Sequence, residues 1–286
     1  MVPCPREVTV SPTERTAAFA GSWYPGSTPA ITAEVDGYLD AAGDVAVPGR
    51  LIALISPHAG LRYSGPVAAH GYGLLRGRDS LTVVLVGPSH RAAFDGVAVH
   101  AHGSWVTPLG RVPVDEDLAE ALLASSPAVV EKPGVHRDEH SLEMQMPFLQ
   151  RLVPELRIVP AMMGSQSRGE VDALAAALVK ALEGRDDVVI VASSDLSHFE
   201  PAEVANRVDA AVVEQVAQYD PEALMRRLET HDNVACGGGP MVAVMKAARA
   251  LGADQATILN YGDSGDVGEH DKSRVVGYLS AALTAS

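Results

Sequence analysis

The chain has 286 residues, of which 47% are hydrophobic and 20% are charged, as is typical of globular proteins. Its 22 basic and 36 acidic residues give a formal net charge of −14. Such a surface repels phosphate backbones and anionic lipids, so we expect neither nucleic acid nor membrane as a partner. The only cysteines are Cys4 and Cys236, which excludes a disulfide framework and favours a cytoplasmic protein.

The N-terminal stretch "MVPCPREVTVSPTERT" lacks the basic and apolar segments of a signal peptide. No apolar run reaches the roughly 18 residues that a membrane span needs. We expect residues 1–17 to form a flexible leader and residues 18–286 to form one domain, because no linker-like segment divides the chain.

Short apolar runs alternate with amphipathic stretches along this domain. The apolar runs predict strands at about 51–56, 81–87, 96–100, 157–163, 187–193, 256–261 and 274–280. The amphipathic stretches predict helices at 116–125, 169–184, 203–218, 221–230 and 240–251. Since continuous apolar runs suit strands covered on both faces, the pattern predicts an α/β domain whose central sheet, mostly parallel or mixed, is flanked by helices.

Three of the predicted strands are followed by a histidine. "LIALISPHAG" places His58 just after the first, "LTVVLVGPSH" places His90 after the second, and "VVIVASSDLSH" ends with Asp195 and His198. Ligands of open α/β sheets collect beyond the carboxyl ends of parallel strands. We therefore expect these side chains to meet in one crevice, although each segment alone also fits a simple turn.

Cys236 lies in "NVACGGGP", just before a predicted helix. A helix N-terminus lowers the pKa of a thiol and favours the metal-binding thiolate. Free cysteines are more often buried and inert, so the pattern leaves a packing role open.

A second histidine cluster occurs in "HRDEHSLEMQMPFLQ". Ser141 resembles a helix N-cap with Glu143 in the first turn, which places His140 outside the helix. This makes a helical metal pair of His136 and His140 less favoured, and His140 and Glu143 are interpreted as pocket wall.

The order of motifs along the chain resembles that of the Memo family, which is similar in fold to the class III extradiol ring-cleaving dioxygenases. The likeness extends from about residue 18 to residue 282. The motifs are "AGSWYPG", "PHAGLRYSG", "GPSH", "DEHSLEMQMPF", "SSDLSHF", "CGGGP" and "LNYGDSGD".

The resemblance implies roles for individual residues. His58 and His90 match the two metal-binding histidines of the dioxygenase-like site, and Cys236 matches the Memo cysteine at the third ligand position, where the dioxygenases carry a glutamate. His198 matches the acid–base histidine, which Asp195 would orient or tune. Because a thiolate is softer than a carboxylate and also suits copper or zinc, ring cleavage does not follow from the resemblance.

Several functions remain open at this point. The leading hypothesis is a mononuclear metal protein with Fe(II), or copper as second choice, acting as a redox enzyme on a small molecule. Tyr63, Tyr261 and Asp263 are further candidates for the rim of its pocket. The alternatives are a non-catalytic binding or scaffold protein that takes a peptide in the same crevice, and a zinc-dependent hydrolase.

Overall fold

The computed structural model describes residues 14–267 and 271–286. Its strands are β1 (Glu14–Thr16), β2 (Arg50–Ser56), β3 (Ser80–Pro88), β4 (Val97–Val99), β5 (Ser104–Thr107), β6 (Gly110–Pro113), β7 (Val129–Glu131), β8 (Glu155–Met163), β9 (Val188–Ser193), β10 (Asp195–Glu200), β11 (Gln255–Asp263) and β12 (Val275–Ala285). Its helices are α1 (Thr28–Ala42), α2 (Leu61–Tyr72), α3 (Glu116–Ser125), α4 (Met146–Leu152), α5 (Arg168–Ala181), α6 (Ala202–Ala217), α7 (Pro221–Thr230) and α8 (Gly238–Ala250).

Within the described ranges, nine strands form one sheet in the order β10-β12-β2-β9-β3-β8-β4-β7, with β11 paired to β12. Neighbouring strands β2, β9, β3 and β8 run parallel, whereas β12 is antiparallel to β2, β10 and β11, and β4 is antiparallel to β8. The predicted mixed sheet with a parallel centre is therefore confirmed.

Both faces of this sheet are buried under helices. Along β3, Leu81, Val83 and Leu85 join a core with α1, α2 and α4, and Val84 and Val86 join a second core with α3 and α5–α8. Alternate residues of a strand point to opposite faces, so a strand buried on both must be apolar throughout. This explains the continuous apolar runs and confirms the single α/β domain.

The predicted helices agree with the structure to within a few residues. Helices α3 and α7 have the predicted bounds, and in each an aspartate accepts a hydrogen bond from a backbone N–H of the first turn, Asp115 from Leu118 and Asp220 from Ala223. Helix α8 begins two residues before the predicted start, which places Pro240 in its first turn, where a missing N–H costs no helical hydrogen bond.

Regular structure is already found before the domain boundary expected at residue 18. Strand β1 pairs with β5, which also pairs with β6 in a separate three-stranded sheet, and the Arg15 side chain is buried. The rest of the predicted leader, including Cys4, lies outside the described residues. None of the helices in the described ranges has the length and apolar character needed to cross a bilayer.

Candidate metal centre

The first site residues lie beyond the carboxyl ends of three adjacent parallel strands. His58 is two residues past β2, His90 is two residues past β3, and Asp195 is two residues past β9, which lies between them. The sheet thus brings together three segments that are far apart in sequence, at the edge where open α/β sheets bind ligands.

His58, His90 and His140 form a compact cluster at this edge. Their ring centroids are 5.2 Å apart for His58 and His90, 5.4 Å for His58 and His140, and 4.5 Å for His90 and His140. One ring nitrogen from each lies within 4.8 Å of the other two, a spacing at which the three side chains can hold one metal ion. The structure therefore places His140, expected only in the pocket wall, among the possible ligands.

Hydrogen bonds fix the protonation of the His58 ring. The Ser193 hydroxyl donates its only hydrogen to the Ser141 carbonyl oxygen, at 2.6 Å. The same hydroxyl lies 2.8 Å from Nδ1 of His58, so in that contact Nδ1 donates and the hydroxyl oxygen accepts. Nε2 of His58 consequently keeps its lone pair. Burial, and then the charges of His140 and His90, lower the pKa of His58 well below its usual range, which keeps the ring neutral as a ligand requires.

The Glu139 carboxylate organises the other two rings. Its Oε1 accepts a hydrogen bond from Nδ1 of His90 at 2.9 Å and lies 3.1 Å from Nδ1 of His140. Burial alone would raise the pKa of Glu139, but the contacts of its carboxylate with the His140 and His90 rings outweigh burial and hold that pKa well below its usual value. An ionised carboxylate on Nδ1 leaves Nε2 for a metal, the arrangement commonly found behind metal-binding histidines.

Cys236 approaches the cluster from the His58 side. Its Sγ lies 3.1 Å from Nε2 of His58, although it is not part of the compact group of three ring nitrogens found among the described residues. The following glycine is required by packing, because a Cβ at Gly237 would lie 2.3 Å from the carbonyl oxygen of Ser193. Burial, and then the Asp195 carboxylate, raise the pKa of the thiol well above its usual value, so without a cation nearby Cys236 is protonated.

His198 and Asp195 lie in the same crevice but are not hydrogen-bonded to each other through their side chains. Nδ1 of His198 lies 2.8 Å from the Leu196 carbonyl oxygen, which can only accept, so Nε2 of the neutral ring is free to take a proton. Asp195 Oδ1 accepts from the backbone N–H groups of His58 at 2.7 Å and Ala59 at 3.2 Å. Asp195 therefore positions the His58 turn, and the His198 ring is oriented by the hydrogen bond that its Nδ1 donates to the Leu196 carbonyl oxygen.

Glu143 has a structural role and does not line the crevice as expected. Its buried carboxylate pairs with Arg15 at 2.7 Å and accepts hydrogen bonds from the Phe19 backbone at 2.9 Å and the Tyr24 hydroxyl at 2.7 Å. The predicted N-cap is also wrong, since the Ser141 hydroxyl donates to the Pro88 carbonyl oxygen and a 3₁₀ turn starts after Leu142.

Of the three residues expected at the rim of the pocket, only Tyr63 is among the described residues that line the crevice. Tyr63 lines the crevice and is 43% exposed. Tyr261 donates a hydrogen bond to buried Asp209 at 2.9 Å, and Asp263 accepts one from Lys272 at 2.8 Å. Neither Tyr261 nor Asp263 is among the described residues that line the crevice.

The crevice above the histidines has a volume of about 950 Å³. It is lined by His58, His90, His140, Asp195 and His198, and on one side by Trp23, whose ring centroid is 4.4 Å from that of His140. A volume of this size accommodates a small organic molecule next to the candidate ligands.

Sequence reasoning did not identify Glu139, Ser193 and Trp23. Glu139 directly precedes His140 and Ser193 ends the apolar run before Asp195, so their neighbours were a usable signal. Trp23 gave no such signal, because the contact that brings it to His140 joins segments more than a hundred residues apart.

A family model described as a Memo-like protein matches residues 15–282. A MEMO1 family protein from Methanocaldococcus jannaschii is 37% identical over 286 aligned positions, covering 94% of this chain and 98% of the relative. A MEMO1 family protein from Methanobrevibacter smithii is 36% identical, with 93% of this chain and 98% of the relative covered. A Thermotoga relative with the same family description is also 36% identical, with coverages of 94% and 99%.

Among solved structures, an uncharacterized protein from Escherichia coli K12 matches with a TM-score of 0.54 at 18% identity. The match covers 80% of this chain and 99% of that protein, and it shows a shared fold alone. The family model and the curated relatives agree over nearly the whole length, and on their evidence the chain belongs to the Memo family.

Proposed function

We propose that this protein holds one metal ion on Nε2 of His58 and Nε2 of His90, and that it is a metal-dependent redox enzyme acting on a small molecule in the crevice. The observation that carries the proposal is the pair of rings whose Nδ1 atoms are engaged by Ser193 and Glu139, which leaves Nε2 of each ring for a metal. One ring nitrogen of each lies within 4.8 Å of the other, and imidazole nitrogen is a donor that iron, copper and zinc accept.

The third ligand in this proposal is Cys236, with His140 as the alternative. Ligands about 2.0–2.3 Å from one ion lie no more than about 4.5 Å apart, and the 3.1 Å between Cys236 Sγ and His58 Nε2 satisfies that limit. A cation lowers the pKa of a neighbouring thiol and favours the thiolate. The thiolate then brings a negative charge that compensates the buried cation, which a neutral imidazole from His140 does not.

The protein's own residues supply the remaining chemistry. An Fe(II) or copper ion at this place supplies electron transfer, with Fe(II) the favoured metal. His198 takes or returns a proton at Nε2, since its Nδ1 is held by the Leu196 carbonyl oxygen. Trp23 and the wall of the crevice exclude water from one side of the bound molecule.

A zinc-dependent hydrolase is the second candidate, because the cluster of three imidazoles matches a common catalytic zinc donor set. Loading the purified protein separately with Fe(II), Cu and Zn, and then measuring O₂ uptake with a panel of small catechol-like and other molecules, separates the two. We expect O₂ uptake with iron or copper and none with zinc. O₂ uptake that is absent for every metal, together with hydrolysis by the zinc form, would replace the redox proposal.

A further inference from the structure

We propose that the crevice binds a small planar anion, whose negative group is held by Arg62 and Arg274 and whose flat body packs against Phe199 and Tyr63. This inference deepens the proposed function by naming the class of molecule that enters the site. The binding itself requires no metal, so it can be tested separately from the redox proposal.

The charges at the mouth of the crevice favour an anion. Arg62 and Arg274 both line it, and within the described ranges neither guanidinium forms a salt bridge. The Arg62 guanidinium lies 5.9 Å from the ring centroid of Tyr63, and that of Arg274 lies 5.2 Å from the ring centroid of Phe199. In a chain with a net charge of −14, two arginines beside a cavity that pair with no carboxylate of the described residues favour an anionic ligand.

The carboxylates of the crevice are already engaged. Asp195 accepts hydrogen bonds from the backbone of His58 and Ala59, and Asp271 accepts one from the Ser273 N–H at 2.9 Å. Among the described residues of the crevice, the carboxylates thus have backbone N–H partners, whereas the two guanidinium groups have no carboxylate partner. This difference favours an anion over a cation as the ligand.

Aromatic side chains are concentrated around the same cavity. Aromatic residues form 5% of the chain, yet Trp23, Tyr63, Phe199 and Tyr278 are four of the 18 described residues that line the crevice. Tyr63 and Phe199 are also the two most exposed large hydrophobic side chains among the described residues, at 43% and 61%. Exposed rings beside a cavity are typical of surfaces that pack against a flat ligand.

The backbone of Phe199 gives an independent reason to assign it to ligand binding. Its φ of 62° lies in the left-handed region, which is strained for a bulky residue because its Cβ crowds the following carbonyl oxygen. Two hydrogen bonds maintain this conformation, from His198 N to Asn233 Oδ1 at 3.0 Å and from Asn233 Nδ2 to the His198 carbonyl oxygen at 2.8 Å. Because the ring is exposed, burial in the protein does not repay this strain, and contact with a ligand does.

The position of Phe199 also brings a ligand bound on its ring close to His198. The ring centroid of Phe199 is 5.6 Å from that of His198, whose Nε2 is the proposed proton acceptor. A flat molecule on Phe199 therefore lies next to His198, with its charged group at Arg274.

The test compares benzoate with benzamide, which have similar shape and size and differ in charge. Their dissociation constants are measured by ligand-observed NMR titration with the full chain, at low salt, and the metal content of every sample is recorded. We expect wild-type protein to bind benzoate at least about tenfold more tightly than benzamide. The variants Arg62→Gln and Arg274→Gln should each weaken benzoate binding by about tenfold, and the double variant should lose the preference for the anion.

Further variants and a further ligand show which side chains contribute to the binding. Phe199→Ala should weaken benzoate and benzamide equally, and Arg207→Gln, an exposed arginine on α6, should change neither. Phenyl phosphate included in the same titrations shows whether the arginines prefer a phosphate or a carboxylate, and sensitivity of either anion to the arginine variants supports the proposal. Benzamide binding as tightly as benzoate, or a double variant that keeps its metal and its benzoate affinity, overturns it. Arginine-dependent benzoate binding to protein that takes up no metal when loaded with Fe(II), Cu or Zn would refute the proposed function and leave this inference intact.

Discussion

The sulfur atom of Cys236 lies 3.1 Å from Nε2 of His58, the one nitrogen of that ring that the Ser193 hydroxyl leaves without a proton. A protonated thiol donates its hydrogen to this nitrogen, and a metal ion can replace that hydrogen between the same two atoms. Cys236 is therefore a hydrogen-bond donor to His58 when the site holds no metal, and a candidate ligand when it does.

The third ligand is tested by Cys236→Ser and His140→Phe. A hydroxyl is a much weaker ligand than a thiolate, so we expect Cys236→Ser to lower metal affinity by more than the roughly 10–100-fold that outer-shell changes cause. His140→Phe preserves a ring of similar shape and should retain most of the metal. The measurement is a competition titration with a chelator. Loss of metal in His140→Phe and retention in Cys236→Ser would assign the third position to the imidazole.

Glu139→Gln tests the carboxylate behind the ligands. The amide removes the charge that holds Nδ1 of His90, so metal affinity should fall by about 10–100-fold while the fold is retained. Chelator competition measures the affinity, and circular dichroism checks the fold. An unchanged metal affinity would show that Glu139 does not orient the ligands.

Glu143→Gln is expected to lower the stability of the fold and not the metal affinity, although Glu143 is only four positions from Glu139. It leaves the Arg15 guanidinium buried without its counter-charge, and breaking a buried pair in this way costs about 3–5 kcal/mol. Urea unfolding should report a loss of that size in the free energy of unfolding. A variant as stable as wild type would show that the ion pair does not anchor the chain at residues 15–24.

His198→Ala tests the division between ligands and proton transfer. Since His198 is proposed to act as a base and not as a ligand, the variant should keep its metal and lose about 10²–10⁴-fold in turnover once a substrate is known. Metal retention can be measured now, against His58→Ala as the comparison that should lose it. If both variants are equally depleted of metal, His198 is itself a ligand.

Stability should fall in mild acid because of buried His136. Burial, followed by the charges of His100 and Arg15, lowers the pKa of this ring to about 3. Between about pH 6.5 and pH 3 the unfolded chain binds a proton that the folded chain does not, so each unit of acidification costs about 1.4 kcal/mol.

His136→Gln removes this titration and keeps a donor for the Ala98 carbonyl oxygen, which lies 3.1 Å from Nε2 of the histidine. Urea unfolding at pH 6.5 and 4.5 should show a smaller loss of stability for this variant than for wild type. His231→Gln, at an exposed position, is the control and should behave as wild type. Identical pH dependence in wild type and His136→Gln would contradict the assignment.

The sequence predicts those strands and helices in which the pattern of apolar residues follows directly from the faces that are buried. The strands of the sheet centre are covered on both faces, so they read as apolar runs, and α3 and α7 have polar caps and one apolar face. Helix α2 was not predicted, because "LRYSGPVAAHGY" contains two glycines and a proline, which are poor helix formers. Packing requires the glycines there, since a Cβ at Gly65 would lie 2.6 Å from the Tyr38 ring.

The residues of the candidate site are likewise predicted only where local sequence determines their position. The positions of His58 and His90 follow from strand ends, which local sequence reveals. The placement of His140 beside them depends on Glu139, Ser141 and the segment around Trp23, all of which pack together only in three dimensions. The sequence likewise predicts that Asp195 orients or tunes its neighbour His198, and it does not reveal that the carboxylate accepts a hydrogen bond from the backbone of the distant His58.

The most direct test of the account is the metal content of anaerobically purified, full-length protein beside that of a His58→Ala/His90→Ala double variant, measured by elemental analysis. Because both proposed ligand atoms, Nε2 of His58 and Nε2 of His90, are removed in the variant, we predict close to one ion per chain in wild type, with iron the most abundant metal, and none in the variant at equal folded fraction. Wild-type protein that retains no metal after loading with Fe(II), Cu or Zn, or a double variant with the same metal content as wild type, would contradict the account.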